Sequence, residues 1–368
     1  MFLYDAWYIV AEPNEISDAP FARTILNQPL VIYRIEDGTV VALEDRCPHR
    51  LVPLSMGKVV GQSLRCAYHG AEFAQNGACV AVPGQKAVAR SVKVRSFPVV
   101  EKHGYLWVWM GDPALSSDLS LIPEGYWRSD ADGWRGGYGH FASMKVDYRL
   151  LNDNVIDITH AEFVHPESFG GQEVQFFRDA KRGSEFRDRA MTYRLEDTSL
   201  HFRTMASRLG NEGGPLWRMM LAQSRGMEEW TDPVLFTMEV SWWGPCYCSF
   251  VMKVRPEGQP DAPAAEMCNL HAAIPETETT THYFYRSIRN YGDDSLDAAF
   301  SQAADFIFSQ DKPILEAQQR RVGSNDIFDL KPVSFTGDLL PVEARRILQR
   351  MIEGQGSCAR QNEVKEGA

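Results

Sequence analysis

The chain has 368 residues, of which 44% are hydrophobic, and a formal net charge of -11. The acidic excess argues against binding to nucleic acid, which needs clustered Lys and Arg, and no apolar run approaches the ~20 residues of a membrane span. An odd number of cysteines, seven, and an N-terminus without a basic, apolar leader predict reduced thiols and a cytoplasmic protein.

The length fits two domains, and the first, predicted over residues 1–115, is rich in candidate strands. Asp37-Gly38 lies between two apolar runs, which is a hairpin signal, and His103-Gly104 separates two further predicted strands. Two short motifs, Cys47-Pro48-His49 and Cys66-Ala67-Tyr68-His69, fall in predicted loops of this domain.

Each motif supplies one thiolate and one imidazole. Two Cys plus two His is the ligand set of a Rieske [2Fe–2S] centre, in which imidazoles replace thiolates on one of the two irons. A structural zinc ion also takes two Cys and two His, but it usually pairs Cys with Cys and His with His, whereas both arms here are mixed. The sequence therefore favours a [2Fe–2S] cluster on Cys47, His49, Cys66 and His69, with zinc as the alternative.

A connector rich in turn signals, residues 111–137, leads into a second domain that is predicted over residues 116–354. Residues 187–203 and 236–255 are predicted mainly as strands, and the proline-rich residues 257–264 as a surface loop. The polar tail, residues 355–368, is predicted to be disordered.

The segment from Leu151 to Pro166 carries a second candidate metal site. On a helix, Asn154, Asp157 and His160 follow one another at intervals of three, so neighbours share a face. His165 would point about 140° away from His160 on a regular helix. The residue before a proline is biased out of the α region, so we expect the helix to end near His165 and its imidazole to turn back.

Two imidazoles need a third ligand, and non-haem Fe(II) oxygenases use two His and one carboxylate. Asp311 is the candidate, because it shares the apolar face of a predicted helix with Phe300, Ala304 and Ile307. A buried, unpaired carboxylate is costly, so Asp311 should bind a metal, take up a proton or pair with a buried Arg. Asp305 and Glu316 are of the right type but lie off this face.

With these motifs the chain resembles the Rieske non-haem iron aromatic oxygenases, most closely the oxygenase components of the vanillate and dicamba O-demethylase type. The matching stretches are Cys47-Pro-His-Arg50, Cys66-Ala-Tyr-His-Gly70, Asn154 to His165, Gln310-Asp-Lys312, Asp5-Ala-Trp-Tyr8, Gly136-Gly-Tyr-Gly139, Ile274 to Glu278 and His282-Tyr283. Residues 167–255 match poorly. The resemblance implies an α+β fold, in which a β-rich Rieske domain precedes a helix-grip catalytic domain of antiparallel sheet plus long helix.

The resemblance also implies cofactors, partners and an assembly. Each chain would hold one [2Fe–2S] cluster and one mononuclear Fe(II) on His160, His165 and Asp311, and a flavin and iron–sulfur reductase would deliver electrons from NADH. In a head-to-tail homotrimer, Asp157 would bridge His160 to His69 of the partner subunit, and Asn154 would lie near the iron. The residues themselves agree, since a carboxylate such as Asp157 can bond the spare N–H of a metal-bound imidazole.

The implied reaction is O2-dependent O-demethylation of a methoxylated aromatic acid, with release of formaldehyde. His271 aligns with a position that contacts substrate in the dicamba enzyme, and Phe250, Ser249 and Gln302 would line the same pocket by the same alignment. Ring or benzylic hydroxylation, N-demethylation, and an electron-transfer protein without chemistry of its own are the alternatives. Arg203, Arg208 and Arg218 are open candidates for holding a carboxylate.

Overall fold

The computed structural model describes residues 1–17, 19–165, 192–203, 207–209, 215–259, 261–324, 326–335 and 338–366. The chain divides into two compact units, one of residues 1–122 with 274–278 and one of residues 123–273 with 279–368. Within the described residues, no helix combines the length and the apolar character that crossing a bilayer requires.

The first unit is built from eleven short strands in three antiparallel sheets. They are β1 Ala6–Ala11, β2 Phe21–Ile25, β3 Gln28–Arg34, β4 Val40–Glu44, β5 Lys58–Val60, β6 Ser63–Arg65, β7 Glu72–Ala74, β8 Cys79–Ala81, β9 Ser96–Phe97, β10 Val99–Lys102 and β11 Tyr105–Met110. The strand orders are β1-β11-β10, β2-β3-β4-β9 and β5-β6-β7-β8.

Both predicted hairpins of this unit are confirmed. β3 pairs with β4 around Gly38, whose φ of 90° is a conformation that glycine adopts without strain. β10 pairs with β11 around His103 and Gly104, which both have positive φ. The strands bury one apolar cluster that includes Val31, Leu43, Leu64 and Phe73.

In the second unit, the described residues form an eight-stranded sheet and five α-helices. The strands are β12 Tyr138–Met144, β13 Thr192–Leu195, β14 Ser199–Arg203, β15 Ser207–Leu209, β16 Val234–Trp243, β17 Tyr247–Pro256, β18 Ala265–Pro275 and β19 Thr281–Arg289. The helices are α1 Tyr148–Ile156, α2 Ala161–Val164, α3 Pro215–Ser224, α4 Asp297–Val322 and α5 Leu339–Glu366. The strand order is β12-β19-β18-β17-β16-β14-β13, with β15 paired to β16.

One face of this sheet packs against helices. Even-numbered residues of β16 and β17 and odd-numbered residues of β18 share that face, because Phe236 pairs with Val254 and Val254 with Ala265. Trp217 of α3 and Phe300 of α4 pack on it. The predicted α+β class, a β-rich domain followed by an antiparallel sheet with a long helix, is therefore confirmed.

The end of the chain differs from the sequence prediction. Residues from 355 were expected to be disordered, but α5 continues to Glu366. The segment after Gly356 contains Ala, Arg, Gln, Glu and Lys, which are good helix formers, so a polar composition alone did not exclude a helix.

Candidate metal centres

Two loops of the first unit have the same backbone hydrogen-bond pattern. In each, the cysteine N–H donates to the carbonyl five residues later, and the N–H four residues later donates back to the cysteine carbonyl. The distances are both 2.9 Å in the loop that starts at Cys47, and 2.8 and 3.1 Å in the loop that starts at Cys66. Leu51 and Gly70 at the fourth position have φ of 60° and 73°, so each loop turns back sharply after its histidine.

The four predicted ligands of these loops differ in solvent exposure. The thiols of Cys47 and Cys66 are buried, whereas His49 and His69 are exposed and their rings lie 4.5 Å apart. Burial raises the pKa of the Cys47 thiol, and the backbone N–H groups of His49 and Arg50 oppose that shift. The two loops thus present thiolates on the inside and imidazoles on the outside.

This arrangement fits a [2Fe–2S] cluster better than one zinc ion. Among the described residues, one compact group of three His, Cys, Asp or Glu side chains has its ligand atoms within 4.8 Å of one another. This group does not include the four loop residues. Two irons divide their ligands into a thiolate pair and an imidazole pair, which is the sorting seen here.

The second predicted metal segment is two short helices rather than one. α1 ends at Ile156, and Asp157 adopts an extended conformation that breaks the helix. Its carboxylate accepts hydrogen bonds from Thr159 N–H at 2.8 Å and Thr159 Oγ1 at 2.6 Å, which gives the backbone an alternative to the helical bond. A 3-10 turn over Ile158–His160 and then α2 follow. The expected continuous helix through His160 is therefore wrong.

This break brings the three predicted ligands together. The Nε2 atoms of His160 and His165 lie 3.5 and 3.4 Å from Oδ1 of Asp311, and the three ligand atoms form the compact group described above. His165 lies just past α2 and Asp311 in the middle of α4, both buried. Two imidazoles and one carboxylate around a common point fit a mononuclear Fe(II). Pro166, which suggested this turn, lies outside the described residues.

Three further contacts surround the triad of His160, His165 and Asp311. Asn154 Nδ2 donates to Asp311 Oδ1 at 3.4 Å. Nδ1 of His165 bonds Oε1 of Gln310 at 2.9 Å. Nδ1 of His160 makes a short contact with the backbone carbonyl oxygen of Asp157, so the contact predicted between these residues involves the backbone and not the carboxylate. Burial raises the pKa of the Asp311 carboxyl, and the two nearby imidazoles oppose that shift.

The competing carboxylates are occupied elsewhere. Asp305 accepts a short hydrogen bond from the Tyr285 hydroxyl, and Glu316 accepts from the Lys145 N–H at 3.2 Å. Asp311 is paired with imidazoles rather than with the buried arginine that was its alternative.

An aromatic enclosure lies next to Asp311, between α4 and the sheet. Phe308 of α4, one turn before Asp311, packs against His271 and Tyr283 with ring centroids 5.0 and 6.0 Å away. His271 Nδ1 bonds the Tyr283 hydroxyl at 2.7 Å. Burial lowers the pKa of His271 to about 3, so this imidazole is neutral at physiological pH.

The structure brings some predicted substrate residues together and separates others. Phe250 and His271 share a face of the sheet, with rings 5.4 Å apart. Ser249 pairs with Leu270 and therefore points to the opposite face. Gln302 is exposed on α4. The side chains of Arg203 and Arg208 lie outside the described residues, and Arg218 is half-buried on α3.

Sequence reasoning assigned no role to Gln310, Tyr283 or Phe308. Phe308 had a usable signal, since it lies three residues before a predicted ligand and so shares a face of the helix with it. Gln310, directly before Asp311, had none. Tyr283 had none, because its position opposite His271 depends on how two strands of the sheet are placed.

Comparisons with known proteins agree with both centres. Two family models match the chain, the Rieske [2Fe-2S] domain over residues 6–98 and the vanillate O-demethylase oxygenase C-terminal domain over residues 144–354. The dicamba O-demethylase oxygenase component of Stenotrophomonas maltophilia is 34% identical, covering 95% of this chain and 98% of that protein. The toluene-4-sulfonate monooxygenase system iron-sulfur subunit of Comamonas testosteroni is 31% identical, covering 96% and 98%.

A solved structure shows the same similarity in three dimensions. The crystal structure of dicamba monooxygenase with non-heme iron and dicamba has a TM-score of 0.77 and 32% sequence identity to this chain. The match covers 97% of this chain and 99% of that one. That structure was solved with an iron, which agrees with the metal proposed for the His160, His165 and Asp311 group.

Proposed function

This chain belongs to the Rieske oxygenases with a vanillate O-demethylase type C-terminal domain, as its motifs predicted, and from that premise we propose that it O-demethylates a methoxylated aromatic acid. It is the oxygenase component of a multi-component monooxygenase system, which needs a reductase partner and O2. Its cofactors are one [2Fe–2S] cluster and one mononuclear iron. The alternative of an electron carrier without chemistry of its own is thereby excluded.

The observation that carries the substrate proposal is the aromatic enclosure beside the triad. Phe250, Tyr283 and Phe308 surround the His271 imidazole with ring faces and edges, a lining that suits an aromatic ring. His271 Nδ1 bonds the Tyr283 hydroxyl, and we assign the tautomer in which the hydroxyl donates, so that Nε2 carries the proton and can donate to a carboxylate. One apolar enclosure with one placed donor is the usual composition of a small-molecule site.

The proposed reaction balances as a two-electron monooxygenation. An aryl methyl ether, O2, two electrons and two protons give a hemiacetal and water; the bond between its methyl-derived carbon and the aryl oxygen then breaks to give a phenol and formaldehyde. When bound, the cluster supplies single electrons and the mononuclear iron activates O2. The chain's own residues hold and orient the metals and the acid, and the aromatic side chains exclude water.

We place the electron transfer between subunits. In a head-to-tail homotrimer, Asp157 would connect His160 to His69 of the partner subunit. Two features support this role: the Asp157 carboxylate is half-exposed, and Oδ1 alone is engaged by Thr159. Oδ2 therefore keeps the capacity to accept a hydrogen bond from an imidazole N–H.

Methoxylated benzoates with a surrogate reductase and NADH test the proposed reaction, with formaldehyde and the phenol as readouts. We expect one equivalent of formaldehyde for each phenol with at least one acid. His271→Leu removes the donor and should lower kcat/KM for that acid by about 10- to 100-fold, the loss of a hydrogen bond to a charged group. His201→Leu is the control, because His201 bonds Ser241 on the sheet. Absence of formaldehyde with every methoxylated acid would refute O-demethylation.

Benzylic hydroxylation is the second candidate, because a relative over nearly the whole chain belongs to a toluene-4-sulfonate monooxygenase system. A sulfonate could accept from His271 Nε2 as a carboxylate would. Toluene-4-sulfonate belongs in the same screen, and a benzyl alcohol product without formaldehyde would favour this reaction.

A further inference from the structure

Two successive residues of α4 contact both nitrogens of one metal-binding imidazole. Gln310 Oε1 lies 2.9 Å from Nδ1 of His165, and Asp311 Oδ1 lies 3.4 Å from Nε2 of the same ring. His165 itself is buried. The ring therefore lies between a neutral amide on one side and the carboxylate of the triad on the other.

The amide oxygen decides which nitrogen carries the proton. An amide oxygen only accepts, so His165 must place its proton on Nδ1 and leave the Nε2 lone pair directed at Asp311 and the metal position. If the amide nitrogen faced the ring, the proton would lie on Nε2 and the imidazole would have no lone pair for a metal there. Metal binding by Nε2 thus requires the orientation with Oε1 toward His165.

The two imidazoles of the triad are supported in different ways. His160 has a backbone carbonyl, that of Asp157, next to its Nδ1, and no side-chain substitution removes that acceptor. The corresponding acceptor for His165 is a side chain on another helix. Of these two hydrogen bonds at Nδ1, only the one to His165 can therefore be removed by changing a residue that is not itself a ligand.

We infer that Gln310 is a positioning residue of the mononuclear iron site, which fixes the tautomer and ring orientation of His165. Partners of this kind typically change metal affinity 10- to 100-fold when they are lost. Because Gln310 is neutral, it orients the ring without adding charge to a site of one carboxylate and two imidazoles. The inference rests on the iron site alone and is independent of the substrate.

The test compares three variants in the full chain with its cluster assembled. Gln310→Met keeps the size but removes the acceptor, Gln310→Glu keeps an acceptor, and Ser309→Ala is a control at an exposed neighbour that bonds only the Phe306 carbonyl of its own helix. Anaerobic Fe(II) titration measures affinity for the mononuclear site. We expect a 10- to 100-fold loss in the Met variant, and affinities near that of the wild type in the other two.

A spectroscopic readout separates positioning from general loosening. With Co(II) in the mononuclear site, the Nδ1 protons of both bound imidazoles give shifted, exchangeable NMR resonances. In Gln310→Met the His165 proton should exchange with water much faster, while the His160 proton keeps its wild-type rate. If both protons accelerate equally, or if Gln310→Glu loses affinity as Gln310→Met does, the proposal is wrong.

Two further results would also decide the matter. Wild-type affinity in Gln310→Met overturns the inference outright. If that variant fails to assemble its cluster, Gln310→Asn replaces it, because the shorter side chain keeps polarity but cannot reach Nδ1, and wild-type affinity there overturns the inference equally. Failure of O-demethylation would leave all these iron measurements unchanged.

Discussion

Replacing Asp311 with Asn should stabilise the iron-free protein and abolish iron binding. Burial raises the pKa of the Asp311 carboxyl, which means that the folded state disfavours its charge when no cation is present. A neutral amide of the same shape removes this penalty, but it also removes the only anionic ligand of the triad.

The two effects have opposite signs and comparable sizes. Asn154 and the two imidazoles offset only part of the cost of burying this charge, since the pKa stays raised, so the iron-free variant should gain on the order of 1 kcal/mol. A unit of this size shifts its Tm by roughly 2–4 °C per kcal/mol. Iron at 100 times its Kd should stabilise the wild type by about 2.7 kcal/mol, or roughly 5–10 °C, and leave the variant unchanged.

Anaerobic calorimetry with and without Fe(II) checks this, with iron analysis of the same samples. Asp311→Asn should keep about two irons per chain and the wild type about three. The advantage of the variant should fade as pH falls toward the ordinary carboxyl pKa, where Asp311 is protonated in both folded and unfolded chains. Asp305→Asn is the control and should keep the iron-dependent Tm increase. An iron-free variant that melts below the wild type, or that gains equally from iron, would refute the reasoning.

Three other perturbations follow from particular contacts. Arg345→Met breaks a buried pair with both oxygens of Asp153, at 2.6 to 3.1 Å, and should cost about 3–5 kcal/mol; thermal melts check this, and Arg345→Met with Asp153→Leu should recover most of it. His271 has its pKa lowered to about 3 by burial, so wild-type stability falls as pH drops below about 6.5, by up to about 1.4 kcal/mol per pH unit. In His271→Gln, the free energy of unfolding measured in urea should depend less steeply on pH over this range, and an equally steep dependence would contradict the assignment. Asp157→Asn should leave both metals bound and nearly abolish turnover, whereas wild-type turnover would contradict the bridging role.

The metal ligands could be predicted from the sequence because few residue types can bind these metals. A pair of motifs that each combine Cys and His, and two His followed far along the chain by a carboxylate on an apolar helix face, leave little chemical ambiguity. The placement of Asp311 beside His160 and His165 agrees with that prediction. Local turn signals likewise sufficed for the hairpins at Gly38 and Gly104.

The substrate side of the protein was much less predictable. Adjacent strand residues such as Ser249 and Phe250 face opposite ways, and an alignment does not show which of them meets His271. Asp157 lies three residues from both Asn154 and His160, a spacing that fits a continuous helix. Its carboxylate instead bonds Thr159, and the helix ends there. At Asp157 the outcome depends on the competition between side-chain and helical backbone hydrogen bonds.

By itself, the sequence determined the ligand sets, the two types of metal centre and the family, because these depend on side-chain chemistry and short spacings. Only the tertiary structure decided how the ligands are supported: the backbone carbonyl at His160, the Gln310 amide at His165 and the Tyr283 hydroxyl at His271. Gln310 comes from an element far along the chain from His165, and Tyr283 lies on the strand next to that of His271. Their positions follow from the packing of α4 and the sheet, which no local pattern in the sequence encodes.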